Sequence, residues 1–227
     1  MVMGWSRIAA LLRRNRDVNA AMEAGRRFVT VLHSWGTWVG MDWPCIIRVL
    51  NPATTPDHSP VRWADLAPGT DLARASWESV SGRPWQQDFS GSPWPWEPAE
   101  GADSSHSRVP LMQILLEQAT GTVWVGQWDG YAHRPRPEGS RHMTFNDGHR
   151  GYFVVEVTPE LRRALEDPAD PPVLPNRMWD DGGTFTLDAD TDLPSIVIGC
   201  TKDIAEAIEA DERLESVRVD PHDPIRV

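Results

Sequence analysis

Three aspartates at alternate positions, Asp188, Asp190 and Asp192, are the residues of this chain that come nearest to a chemical motif. An Asp-x-Asp-x-Asp run opens a calcium-binding loop, which also needs a tight-turn glycine at its sixth position and a bidentate glutamate at its twelfth. Counted from Asp188, those positions hold Leu193 and Gly199. The calcium chemistry fails on both, and no metal is expected on the chain. If the segment is a strand, the three carboxylates share one face, and their mutual repulsion is tolerable only in water. A solvated strand end is the expectation.

The other reactive side chains are scattered. His142 and His149 bracket Asp147-Gly148, a two-residue hairpin signal that pairs Asn146 with His149 and sets His142 opposite Phe153, so the two imidazoles stand on different rungs. His133 lies in the Arg/Pro loop 132-AHRPRPEG-139, and no histidine has metal-ligand spacing. Cys45 and Cys200 are far apart and form no CxxC pair. A thiol at a helix start can be nucleophilic, but Cys200 has no base beside it in the sequence, and a small buried thiol is the reading. No catalytic residue is assigned. Trp128, Asp129, Asp147 and His149 are the pocket candidates of a site that converges only in three dimensions.

The 12 tryptophans outnumber the 2 tyrosines and 5 phenylalanines, and Trp77, Trp85, Trp94 and Trp96 fall in or near a region rich in Gly, Pro and Ser. An indole in such a loop plugs the edge of a core or presents a contact surface. Plugging is the first reading, and Trp94 and Trp96 are the contact candidates of the second.

The elements that must position these groups are best defined at the end of the chain. Phe185, Leu187 and Ala189 alternate with polar residues as in a half-buried strand, and Ile196, Val197 and Ile198 suit an interior strand. Gly199 ends it. A helix follows from Cys200 or Thr201, with Ile204, Ala205 and Ile208 inward and Glu206, Glu209, Asp211 and Glu212 outward, before a last strand over 216–219. Upstream, strands are predicted over 45–50, 122–128, 141–145 and 152–157. Thr158 caps a helix that has Pro159 at its first position, and a short helix covers Leu111 to Gln118. Trp5, Ile8, Ala9 and Leu12, then Val18, Met22, Gly25, Val29 and Leu32, predict two N-terminal helices. Residues 82–110 are predicted as one long loop. The expected fold is α+β: a mixed, mainly antiparallel sheet with helices on one face, built as one domain over 1–227, with a Trp-rich helical region over 1–44 and the main sheet unit over 111–219.

Charge is unevenly placed. Residues 156–227 hold 7 basic against 18 acidic side chains, which is the whole formal net charge of -11. Such a field repels nucleic acid and anionic membrane and attracts a basic partner within a screening length of about 8 Å. The apolar run Ile8 to Leu12 is too short for a signal core or a membrane span, and with so few cysteines a reduced, cytoplasmic protein is the expectation. Lys202 is the only lysine among 22 basic residues, a bias that goes with high-GC coding.

The segment from Asp190 to Val219, DTDLPSIVIGCTKDIAEAIEADERLESVRV, resembles the C-terminal signature of a family of actinomycete proteins: an acidic strand, a short Val-Gly-Gly turn and a helix. The stretches 61-VRWADLA-67 and 122-TVWVGQWDG-130 resemble it more weakly, and Cys200 departs from it where a second turn glycine belongs. The resemblance implies a fold and carries no activity, cofactor or site residue. Two function classes follow from the residues. One is a protein-binding module, in its most concrete form an immunity or antitoxin-like protein whose acidic residues Glu206, Glu209, Asp211 and Glu212 meet a basic partner. The other is an enzyme or small-molecule binder using the pocket candidates above.

Overall fold

The computed structural model describes residues 34–40, 42–82, 98–145 and 150–225. Both N-terminal helices, the loop tryptophans Trp85, Trp94 and Trp96, and the hairpin residues Asp147 and His149 lie outside them. The described chain is α+β, organised on an eight-stranded sheet in which every pairing is antiparallel.

In chain order the elements are α1 (Trp35–Val39), β1 (Cys45–Leu50), a two-strand ribbon of β2 (Ala53–Thr54) and β3 (Pro60–Val61), α2 (Trp63–Leu66) and α3 (Trp77–Ser81). After a 3-10 turn at Gly101–Asp103 come α4 (Ser105–Gln118), β4 (Val123–Trp128), β5 (Arg141–Phe145), β6 (Arg150–Glu156) and α5 (Pro159–Leu165). The chain closes with β7 (Arg177–Asp180), β8 (Phe185–Asp188), β9 (Ser195–Cys200), α6 (Lys202–Ala210) and β10 (Glu215–Arg218). The sheet order is β10-β1-β9-β8-β7-β4-β6-β5, so β10 and β5 are its edges.

The pleat sorts the strands into two faces. Ile47, Val49, Val125, Met178, Phe185, Leu187, Ile196 and Ile198 form one continuous core with Leu111 and Leu115 of α4, Leu161 and Leu165 of α5, and Ile204 and Ile208 of α6. Helices α4, α5 and α6 therefore cover one face, and in α6 the inward Ile204, Ala205 and Ile208 fall on one helical side. The opposite face carries Trp124, Tyr152, Val154 and Trp179 on one half, and Ile46 and Val197 with Trp35 and Trp38 of α1 on the other. Among the described residues, Trp35, Trp38, Trp63, Trp77, Trp124 and Trp179 are buried while Trp43 and Trp128 are half-buried, so these indoles plug cores.

Two local outcomes differ from the sequence-based expectation. Helix α4 starts at Ser105, not near Leu111, because the Ser104 hydroxyl accepts the Ser107 N–H as an N-cap. Pro110 is tolerated in its second turn, at the loss of the bond its N–H would have made to the preceding turn. Strand β7 was not expected: its polar ends, Arg177 and Asp180, are buried. Asp180 accepts the N–H groups of Thr120 and Thr184, both at 2.8 Å, and thereby ties the β7–β8 turn to the start of β4. Gly101 shows why the chain narrows before α4. At its φ of +43°, a Cβ would lie 2.5 Å from the Ala189 carbonyl oxygen, so only glycine passes there.

Candidate functional site

The three aspartates are not a solvated strand end. Asp188 and Asp190 are buried, and only Asp192 is exposed. Their repulsion is relieved by arginines and, at Asp188, by a proton that burial retains, rather than by water. Arg177 stands directly across the β7–β8 pair from Asp188, with Nη2 2.7 Å from Oδ2. Arg150, at the start of β6, donates from Nη1 to Asp190 Oδ1 at 2.7 Å and from Nη2 to Asp192. The carboxylate run thus receives two guanidinium groups, one from the adjacent strand β7 and one from β6, which lies beyond β7 and β4 in the sheet. Among the described residues no group of three or more His, Cys, Asp or Glu is arranged to hold a metal ion.

Around these pairs the second face of the sheet becomes a layer of rings and guanidiniums. The Arg177 guanidinium carbon is 5.7 Å from the Tyr152 ring centroid, that of Arg150 is 5.8 Å from the Trp128 ring, and Arg177 Nη1 donates to the Trp38 carbonyl at 3.2 Å. Burial pushes the Asp188 carboxyl up to about 7 against the pull of Arg177. Burial likewise pushes the Tyr152 hydroxyl up.

Arg48 is the same device on the other half of this face. Its side chain is fully buried between the rings of Trp35 and Trp63, 5.0 and 5.2 Å from their centroids. Its Nη1 donates to the carbonyls of Ala75 (2.7 Å) and Leu72 (3.3 Å), and its Nε to Ser195 Oγ at 3.2 Å. With no carboxylate beside it, burial draws its pKa down to about 10. Arg108 of α4 does similar work, donating to the carbonyls of Leu165, Asp167 and Ala169. Each buried arginine ties a loop or a short helix to the sheet or its covering helices.

Two of the pocket candidates meet near a different histidine. Asp129 Oδ2 lies 2.7 Å from His142 Nε2, and the half-buried Trp128 next to it packs edge-on against Tyr131 at 5.3 Å. His142 is opposite Phe153, as the hairpin signal predicts, and stacks edgewise on its ring at 5.6 Å. The pair crosses β6 at Gly151, where a Cβ would sit 2.1 Å from Asp129 Oδ2 and 2.5 Å from His142 Nε2. A carboxylate holding one imidazole nitrogen can orient a general base. Among the described residues, however, no hydroxyl or thiol is hydrogen-bonded to His142. Gly151→Ala is expected to part the pair and release His142 from a single tautomer into a mixture, as read from the imidazole nitrogen shifts by NMR. The stability cost should stay near about 1 kcal/mol, the worth of one hydrogen bond.

The acidic candidates differ among themselves. Glu209 is held by Arg218 at 2.6 and 2.8 Å and Asp211 by Arg213 at 2.6 Å, whereas Glu206 and Glu212 are exposed. Glu212 lies on a half-open groove of about 600 Å³ between the turn after α6 and the first turns of α4, with Arg62, Asp65, His106, Pro110 and Glu215 among its walls. Glu215 is occupied in capping α2, accepting the Trp63 and Ala64 N–H groups at 2.7 and 2.8 Å. Nothing in the sequence marked this groove, because its walls come from segments near 50, 62, 106 and 212. Cys200 ends β9 inside the core, and burial pushes its thiol up to about 12, which removes it as a resting nucleophile.

The architecture and the sites define an antiparallel α+β protein with buried arginine ties and an acidic, grooved C-terminal unit. Comparison with known proteins gives no match: no family model, no curated protein and no solved structure aligns with the chain. Among the described residues no helix is long and apolar enough to cross a membrane.

Proposed function

We propose that the protein is a binding module that takes a basic polypeptide in the groove beside α6 and β10. One observation carries this reading: the acidic third of the chain borders a concave surface, with Glu212 on its wall and Glu206 exposed on the adjoining helix. Complementary charge would speed capture, and the groove walls would fix register. An immunity or antitoxin-like inhibitor of a cationic protein is the most concrete form of this function. A small-molecule or catalytic role is the second reading, and the Asp129–His142 pair beside Trp128 is what favours it.

The test uses a fluorescent oligo-arginine peptide as probe and anisotropy as readout. Glu206→Lys with Glu212→Lys is chosen because these carboxylates are exposed, whereas Glu209 and Asp211 already hold arginines. Reversing one charge on the groove wall, Glu212, and one on the adjoining helix, Glu206, at about 0.2 to 1 kcal/mol each should weaken binding about tenfold and flatten its salt dependence. Glu117→Lys with Glu160→Lys makes the same change in net charge on exposed positions of α4 and α5 outside the groove walls. Equal weakening by both double variants would reduce the interaction to net charge and sink the groove reading.

A further inference from the structure

The two cysteines are 155 residues apart in the sequence (200 minus 45), yet they face each other in the sheet. Cys45 opens β1 and Cys200 closes β9, paired across the antiparallel ladder. Both are free, both are buried, and both belong to the core under α6. Directly opposed residues in antiparallel strands have Cα atoms roughly 4.5 to 5.5 Å apart. A disulfide spans Cα separations of roughly 4.4 to 6.8 Å, a range that includes the spacing of opposed strand residues.

The surroundings favour one order of events. Cys45 is 6% exposed and Cys200 is 0% exposed, so a reagent reaches Cys45 first. Arg218 of β10, opposite Ile47, projects on the same side of the sheet as Cys45, and Glu209 holds its guanidinium bidentately. Burial raises the Cys200 thiol, and the charge of Arg218 works against that rise without overcoming it.

We propose that Cys45 and Cys200 form a reversible dithiol–disulfide pair, closed by exchange with a low-molecular-weight disulfide. The Cys45 thiolate attacks one sulfur of the small disulfide, forming a mixed disulfide and expelling one small thiolate. The Cys200 thiolate then attacks the Cys45 sulfur, the protein disulfide forms, and the second small thiolate leaves. The two protons released by the cysteines end on the two departing thiols. The small disulfide is reduced by two electrons and the protein dithiol is oxidised by two. Because burial pushes the Cys200 thiol up to about 12, the second step is slow and accelerates with pH. The product ties β1 to β9 and, through them, fixes the β10 edge.

The experiment is intact-mass analysis of the folded full chain in excess oxidised glutathione. The expected product is a monomer lighter by two hydrogen atoms and without a glutathione adduct, restored by dithiothreitol. Its rate of formation should rise about tenfold per pH unit between about pH 7 and 9, as the Cys200 thiolate population does. Low denaturant, below the unfolding transition, should leave that rate unchanged. Cys200→Ser should stop at a glutathione adduct on Cys45, and Cys45→Ser should form neither adduct nor disulfide. If either variant fails to fold, the pH and denaturant dependence of the wild type decides. An unchanged mass at exchange equilibrium, a stable adduct on the wild type, a disulfide-linked dimer, or a rate that follows the unfolded fraction would each overturn the proposal.

Discussion

Arg48→Ala is expected to lower the unfolding free energy by about 3 to 5 kcal/mol, in the range of the most damaging core truncations. Three losses combine. The carbonyls of Ala75 and Leu72 and the hydroxyl of Ser195 lose their donor, and a buried acceptor left without a partner costs about 1 to 3 kcal/mol. The guanidinium leaves the gap between Trp35 and Trp63, and a cavity replaces it. The chain from Leu72 to α3 then loses its tie to β1, so the indoles of Trp63 and Trp77, 5.3 Å apart, should become more exposed in the folded state. Urea unfolding followed by tryptophan fluorescence measures both effects. Arg48→Lys should recover less than half of the loss, because a compact ammonium can neither stack between two rings nor reach three acceptors at once. Full recovery by lysine would show that charge alone holds the segment.

The C-terminal unit is legible in the sequence because its local signals agree. Phe185 and Leu187 alternate, Ile196 to Ile198 are apolar on both faces, Thr158-Pro159 marks a helix start, and Ile204, Ala205 and Ile208 share one helical face. Strands β4, β5, β6, β8, β9 and β10 and helices α5 and α6 fall within a residue or two of their expected bounds. The local signals mislead where a buried position carries a charged residue. The strand over 45–50 is legible but the burial of its Arg48 is not, and Arg177 and Asp180 make β7 read as loop, since a guanidinium or carboxylate is seldom buried without a partner. The partners exist but are remote in sequence: Ser195 for Arg48, Trp38 for Arg177, Asp190 for Arg150. A single sequence carries no signal for such pairings. The same holds for the aspartate run, where the alternation was visible and the two arginines that neutralise it were not. It also holds for His142, whose partner Asp129 was chosen as a candidate beside other residues, because the gap at Gly151 that lets them meet exists only in the folded sheet.

The wild-type protein is expected to lose stability as pH rises from about 4 to about 7, relative to Asp188→Asn. The sign follows from where the proton sits. In the unfolded chain Asp188 releases its proton near the ordinary aspartate value of about 3.9, whereas burial keeps it bound in the folded chain up to about 7. Between those values the folded state binds more protons than the unfolded one, so stability falls with rising pH. This contribution is complete below about pH 4 and is lost as pH passes through about 7. At about 1.36 kcal/mol per pK unit the full window amounts to about 4 kcal/mol for this fully buried group, an upper bound. The charged or titratable groups around it are Arg177 across the strand pair, Tyr152 on β6, and the Arg150–Asp190 pair at the end of the site. Arg177 pulls the carboxyl toward ionisation, but desolvation outweighs it, and Asp190 works against ionisation as well. Asparagine matches the protonated side chain in shape and cannot ionise, so Asp188→Asn should flatten the pH profile while keeping the contact to Arg177. Urea titrations of both proteins at pH values from about 4 to 8 give the difference directly. Parallel curves would mean that the Asp188 carboxylate is already ionised at low pH, with Arg177 and not burial in control of the pair.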